Sequence, residues 1–268
     1  MSFGEISTPP TVFFNYQTWG MRSSALVKPL SPATIQALTE VAAKLGDLSG
    51  YRLAQVGAVE HYQGEKLKSA PVGLLRFTKT GGPDLQGEHI SLTVDLNTHA
   101  LMGCTRMDGH VAGVKAEDVS HELALKQTVE FLKLNAPDLV SPDAILPVLP
   151  KANFVGSKLD FEEHPLRLGK IEIHWIGDHM EDFNVEKERA EFHGMKVKMY
   201  VPETQLWAWA IVDKQGTVNT FERNISWDFE KFERETQMWL HNKWLVERNK
   251  NGINLLAPTG ESSPEPRL

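Results

Sequence analysis

The chain is poor in cysteine, in net positive charge and in long apolar runs, which disulfides and metal sites, nucleic-acid-binding surfaces and membrane spans respectively require. Its only cysteine among 268 residues is Cys104, which excludes an internal disulfide and a cysteine-based zinc or iron–sulfur site. Basic residues number 28 against 35 acidic ones, for a net charge of -7, which argues against a broad nucleic-acid-binding surface. No apolar run approaches the ~18–20 residues that span a bilayer, and no signal-peptide pattern is visible. We therefore expect a cytoplasmic protein with neither a nucleic-acid nor a membrane partner.

What the chain does contain is typical of a folded protein, with one imbalance. The hydrophobic share of 41% and the charged share of 24% exclude a disordered chain. Six of the seven tryptophans lie between Trp175 and Trp244, and only Trp19 lies outside this range. The second half of the chain therefore draws attention as the place for a binding site.

Periodicity in the first half predicts two helices and four strands. Ser31 is a suitable N-cap for a helix with Pro32 in its first turn, and Gly46 follows the last residue of its apolar stripe. Strands are predicted over 51–61, 72–78, 90–96 and 101–107, and a second helix over 117–134.

The second half resembles the first in plan. Strands are predicted over 170–177, 195–201, 206–213 and 217–224, with a charged loop or short helix over 178–191. The last helix is predicted over 227–248, with a buried stripe of Phe229, Phe232, Thr236, Trp239 and Leu240.

The domain organisation follows from a proline-rich stretch between the halves. We predict an α+β protein of two tandem domains of the cystatin-like or ferredoxin kind, 1–140 and 150–250, each an antiparallel sheet packed on a long helix. A disordered tail is predicted over 257–268, where Pro, Ser and Glu dominate.

Short segments of both halves carry a family resemblance. The segments Lys28–Ile35, Val59–Lys66, Leu92–Leu96 and the stretch from Phe192 to Asp213 resemble the second and third N-terminal domains of copper amine oxidases. A repeated PepSY-type domain has nearly the same pattern. The resemblance implies cystatin-like accessory domains. It does not extend to copper-dependent amine oxidation, because the family's His-x-His copper ligands are absent here.

One segment and one strand end supply candidate acid–base groups. His174, Asp178 and His179 lie within six residues of one another, and Glu222 precedes the predicted last helix. Imidazoles titrate near neutral pH and can move protons. The spacing matches no established metal motif, so we expect neither a metal nor a cofactor. The alternative is a polar strand end that leads into a solvated charged loop.

The tryptophans suggest a pocket wall. Trp207 and Trp209 share one face of a strand whose other face is also apolar, so this strand is either covered on both sides or lines a cavity. Trp175, Trp227 and Trp239 are the further candidate ligand-binding residues. The alternative is that these side chains only fill a core.

Two functions remain open from the sequence. One is a small-molecule-binding protein, or a cofactor-independent acid–base enzyme of the isomerase, cyclase or lyase type, acting on a hydrophobic substrate in a Trp-lined pocket. The other is a non-catalytic interaction module related to the amine oxidase accessory domains. A cavity of a few hundred Å3 with convergent polar groups favours the first. A homo-oligomer is left open.

Overall fold

A computed structural model describes residues 30–250 with several gaps. The gaps are 64–66, 68, 80–84, 86, 113–118, 147, 150–153, 156–157, 162, 186–187 and 231–232. The predicted tail, Trp19 and Phe232 thus lie outside the described residues.

The described residues form three short helices and thirteen strands. The helices are α1 (Pro32–Leu45), α2 (His121–Asn135) and α3 (Asn242–Lys250). The first strands are β1 (Arg52–Tyr62), β2 (Ser69–Thr78), β3 (His89–Asp95), β4 (Leu101–Met107), β5 (Phe154–Val155), β6 (Lys158–Asp160) and β7 (Leu166–Leu168). The remaining ones are β8 (Ile171–Val185), β9 (Glu188–Val201), β10 (Leu206–Val212), β11 (Val218–Ile225), β12 (Trp227–Asp228) and β13 (Glu233–Arg234).

Eleven strands join in one antiparallel sheet. Its order is β1-β2-β3-β4-β11-β10-β9-β8-β6-β5, with β7 paired to β8, while β12 and β13 form a separate ribbon. The two halves of the chain meet where β4 pairs with β11, with Thr105 opposite Thr220 and Gly103 opposite Glu222. The hydroxyls of Thr105 and Thr220 are also hydrogen-bonded, at 2.9 Å.

Both faces of this sheet are covered. On one face α1 and α2 contribute Leu38, Leu125 and Val129 to the main apolar core, together with Val197 and Ala208 of the sheet. On the other face the segment that follows β13, and α3, place Met238, Trp239, Trp244 and Leu245 against Val59, Val72, Leu74 and Met102. Residues from the end of the described chain thus pack on strands from its beginning.

The predicted fold class is wrong. One antiparallel sheet with three short helices replaces the two cystatin-like units, and no long helix packs on the sheet among the described residues. The largest error concerns the last helix, which begins at Asn242 and not at 227, since residues 227–234 form the β12–β13 ribbon. Phe229, assigned to the buried stripe of that helix, is 60% exposed. The boundaries 1–140 and 150–250 stay a prediction.

The charged segment 178–191 is also different from the prediction. Residues 178–185 belong to β8 and 188–191 to β9, and in this hairpin Asp178 pairs with Met195 and Asp182 with Glu191. Charged side chains are compatible with a strand when one face of it meets solvent.

Several local predictions are confirmed. Ser31 caps α1, where its hydroxyl accepts a hydrogen bond from the backbone N–H of Thr34. The hairpin of β3 and β4 and the strands β10 and β11 lie within a residue or two of their predicted positions. Among the described residues, no helix has both the length and the apolar character needed to cross a membrane.

Candidate functional site

A cavity of about 390 Å3 lies on the sheet face opposite α2, between β8, β9, β10 and the segment that follows β11. Its lining combines aromatic, cationic and acidic side chains. They are Trp175, His179, Met180, Glu181, Asp182, Lys196, Lys198, Trp207, Trp209, Trp227, Phe229, Arg234, Met238, His241, Asn242, Lys243 and Trp244.

Strand alternation explains the aromatic wall on β10. Trp207 and Trp209 line the cavity, whereas Ala208 and Ala210 are fully buried in the core on the α2 side. The small alanines allow α2 to pack closely, and the indoles point the other way. Phe229 adds a further ring, 6.2 Å from the ring of Trp207.

Two lysines of β9 lie on these indole rings. The ammonium group of Lys198 is 4.0 Å from the ring centroid of Trp207, and that of Lys196 is 3.9 Å from the centroid of Trp209. Both distances are within the range of cation–π attraction. Each ammonium is also 5.9 Å from the ring of Trp175, which faces them from β8.

Lys196 lies in an environment that opposes its charge. Burial lowers the pKa of its ammonium from 10.5 to about 8, although Glu222 attracts the charge from a distance. No carboxylate of the described residues is within the 4.0 Å of Lys196 Nζ that would make an ion pair.

Glu222, on β11, is hydrogen-bonded to side chains of β10, of β13 and of the segment just before α3. Its Oε2 accepts hydrogen bonds from Trp209 Nε1 at 3.1 Å and from His241 Nε2 at 2.7 Å. Arg234 donates to both oxygens, at 2.8 Å to Oε1 and 3.2 Å to Oε2. Burial alone would raise the pKa of Glu222, but the charge of Arg234 and the contact with His241 outweigh it and hold this pKa far below its ordinary value.

His241 lies between two carboxylates. Its Nε2 contacts Glu222, and its Nδ1 is 3.8 Å from Glu181 Oε1. Glu181 Oε2 is in turn 3.9 Å from His179 Nε2. Burial would raise the pKa of Glu181, but the neighbouring imidazoles lower it, while burial lowers the pKa of His179. The arrangement holds an imidazole at the cavity wall, and such a group can accept or give a proton.

The structure brings together only some of the sequence candidates. Trp175, Trp207, Trp209, Trp227 and His179 line the cavity, and Glu222 lies behind Trp209. Trp239 is not among the lining residues and packs edge-on against Trp244, with ring centroids 4.8 Å apart.

Two of the predicted catalytic residues lie away from the cavity lining. His174 packs against the edges of Trp207 and Tyr200, with ring centroids 5.0 and 5.7 Å away, and does not line the cavity. Asp178 is exposed and outside the lining. All catalytic roles stay predictions.

Sequence reasoning missed Lys196, Lys198, Arg234 and His241. A signal for the two lysines was present, because Val197 and Met199 alternate with them and occupy the core. Two lysines on the non-core face of a strand, beside a Trp-x-Trp strand, indicate a charged cavity wall. Arg234 and His241 carry no comparable signal, since they lie in a segment that was predicted to be helical.

Other chemistry finds no support in the described residues. Burial raises the pKa of the Cys104 thiol to about 12, which disfavours the reactive thiolate. No group of three or more His, Cys, Asp or Glu side chains in the described part of the chain is arranged to hold a metal ion.

Comparison with models of known families, with curated proteins and with solved structures finds no match to this chain. The resemblance to amine oxidase accessory domains and to PepSY repeats therefore stays a prediction.

Proposed function

We propose that the protein binds a hydrophobic small molecule in the Trp-lined cavity. The observation that carries this proposal is a space of about 390 Å3 walled by indole rings, with convergent polar groups. Ligand sites in proteins have this size range and this combination of apolar walls with a few placed polar groups.

If this region served only to stabilise the fold, the charged side chains in its lining would be energetically unfavourable. A core is usually filled to high density by apolar side chains, and charged groups in it carry a desolvation penalty. Here Lys196, Lys198 and Arg234 line the cavity. This combination favours ligand binding over the interaction module, for which a closed core is expected.

The catalytic form of the proposal assigns proton transfer to His241. Its imidazole reaches the cavity, and Glu222 at 2.7 Å and Glu181 at 3.8 Å orient it. A general acid or base needs this combination of access and fixed orientation. An isomerase, cyclase or lyase of the cofactor-independent type needs a proton-transfer group of this kind beside its substrate.

Binding is tested with N-phenyl-1-naphthylamine, a neutral probe whose fluorescence rises in apolar surroundings. We expect saturable binding to the full chain, weakened by roughly tenfold or more in Trp207→Ala, because the loss of a large contact surface costs at least about 1.5 kcal/mol. Trp207 is only partly buried, so the fold should tolerate this change, which circular dichroism checks.

The matched control is Trp239→Phe, which alters a tryptophan outside the cavity lining. This variant should bind the probe as the parent protein does. Absence of saturable binding, or equal binding by Trp207→Ala, would remove the support for the proposed function.

A further inference from the structure

Two lysines of β9 face the cavity side by side. Lys196 and Lys198 share one face of the strand because Val197 and Met199 alternate into the core on the other face. Their ammonium groups lie at 3.9 and 4.0 Å from two neighbouring indole rings. Two ammonium groups are therefore held against the aromatic wall, and both lysine side chains are partly buried.

The carboxylates around the cavity already have partners. Glu222 accepts from Arg234 and His241, and Glu181 lies between His179 and His241. These groups are buried or partly buried and fixed by the protein.

The acidic group at the rim is also paired. Asp182 contacts Arg189 at 3.1 Å and Lys243 at 3.6 Å. With these acids engaged, no carboxylate of the described residues comes within 4.0 Å of Lys196 Nζ. A partly buried cation without an adjacent counter-charge costs free energy, and an anion that enters the cavity would offset that cost.

We propose that the ligand of this cavity is a flat aromatic or conjugated molecule with an anionic group, a carboxylate, sulfonate or phosphate, bound by Lys196 and Lys198. The inference rests on the proposed function and adds the chemical class of the ligand. The two ammonium groups lie over Trp207 and Trp209, so a flat ring would pack against the other aromatic side chains of the lining, such as Trp175 and Phe229, while the ammonium groups favour anionic oxygens. Burial lowers the pKa of Lys196, and a bound anion would raise it again by stabilising the charged form.

A pair of matched probes tests this inference. 8-Anilinonaphthalene-1-sulfonate has the same aryl framework as the neutral N-phenyl-1-naphthylamine and differs by its sulfonate. We expect the sulfonate to bind the full chain at least about tenfold more tightly, as one favourable charge-assisted contact provides. Lys196→Met should remove most of this preference, measured as the ratio of the affinities for the two probes within the same variant, whatever its effect on the affinity for the neutral probe.

Two further variants complete the experiment. Lys198→Met should also lower the preference, which covers the case that Lys196→Met disturbs the fold. The matched control is Lys170→Met, because the Lys170 side chain is 60% exposed and lies 3.5 Å from Glu203, away from the cavity lining. It should keep the full preference for the sulfonate.

The outcomes separate the two proposals. If both probes bind with equal affinity, the anionic ligand class is overturned and the proposed function stands. The same holds if the preference for the sulfonate survives both lysine substitutions, because the sulfonate would then be recognised elsewhere. If neither probe binds, the proposed function fails, and the ligand class fails with it.

Discussion

The carboxylate of Glu222 is fully hydrogen-bonded to other side chains of the protein. Both its oxygens accept bonds, from Trp209, Arg234 and His241. The sequence offers it as an acid–base candidate because it is a titratable group that precedes the predicted last helix. The sequence could not indicate Arg234, whose guanidinium reaches it from the β12–β13 ribbon. The bonds of Glu222 fit the role of a fixed counter-charge that orients Trp209 and His241.

Glu222→Gln replaces this carboxylate with a neutral amide. The substitution leaves the buried Arg234 guanidinium without its counter-charge, so we expect a loss of about 3–5 kcal/mol in the free energy of unfolding at pH 7. The folded-state pKa of Glu222 is lowered, so its contribution is fully present above the ordinary value of 4.5 and is lost progressively as pH falls from there toward the much lower folded-state pKa. The difference from the parent protein should therefore shrink at acid pH. Denaturant unfolding at pH 7 and below pH 4 measures both effects.

The control for this variant is Asp138→Asn. Asp138 also contacts an arginine, Arg223, whose side chain is 9% exposed, but the Asp138 side chain is 52% exposed, so water reaches the pair and we expect a smaller cost than for Glu222→Gln. An equal cost for the two variants would contradict the assignment of Glu222 as a buried counter-charge.

At the scale of elements, the sequence predicts which side chains share a face of a strand, but it does not predict what packs against that face. The sequence shows that Trp207 and Trp209 share a face of β10, and the structure places both in the cavity wall. The sequence does not show that the charged segment 178–191 belongs to a β-hairpin. Charged residues exposed to solvent give the same sequence pattern in a loop and on the solvent-facing side of a strand. The last helix was misplaced because apolar residues at helical spacing also occur in the ribbon and in the turns before Asn242.

The junction of β4 and β11 carries the second prediction. A Cβ atom on Gly103 would lie 2.8 Å from Leu240 Cδ1 and 2.9 Å from the backbone oxygen of Phe221. The backbone of a paired strand cannot yield without loss of pairing, so Gly103→Ala should lower the free energy of unfolding by about 1–3 kcal/mol. Gly109→Ala is the control, because the nearest atom to its Cβ would be 3.5 Å away and belongs to a side chain, that of Glu88. Equal stabilities of the two variants in denaturant unfolding would show that the junction has room for a methyl group.

At the scale of the whole molecule, the two halves are connected more closely than their sequences indicate. Beyond the β4–β11 pairing, Arg76 donates to Asn242 at 3.0 Å and Asn224 donates to Gln63 at 2.8 Å. Such long-range contacts leave no periodic pattern in a single sequence. For this reason the sequence predicts two similar halves but does not predict the single sheet that they share.

These connections lead to the third prediction. Residues on both sides of the β4–β11 junction should unfold in one cooperative transition, because separation of the halves would expose the edges of both strands. Tryptophan fluorescence reports mainly on the second half, which holds six of the seven tryptophans, and far-ultraviolet circular dichroism reports on the whole chain. The two midpoints in denaturant should coincide. Two separate transitions would instead support independent domains over 1–140 and 150–250.

The cavity also has an order of assembly that follows from the chain direction. The wall of lysines and tryptophans lies on β8, β9 and β10, whereas Arg234, Met238, His241 and Trp244 follow the last strand of the main sheet. During synthesis the wall therefore leaves the ribosome before the residues that enclose it. Without those residues the indoles and ammonium groups would face water as an open surface, so the segment that follows β11 is what makes the wall into a cavity.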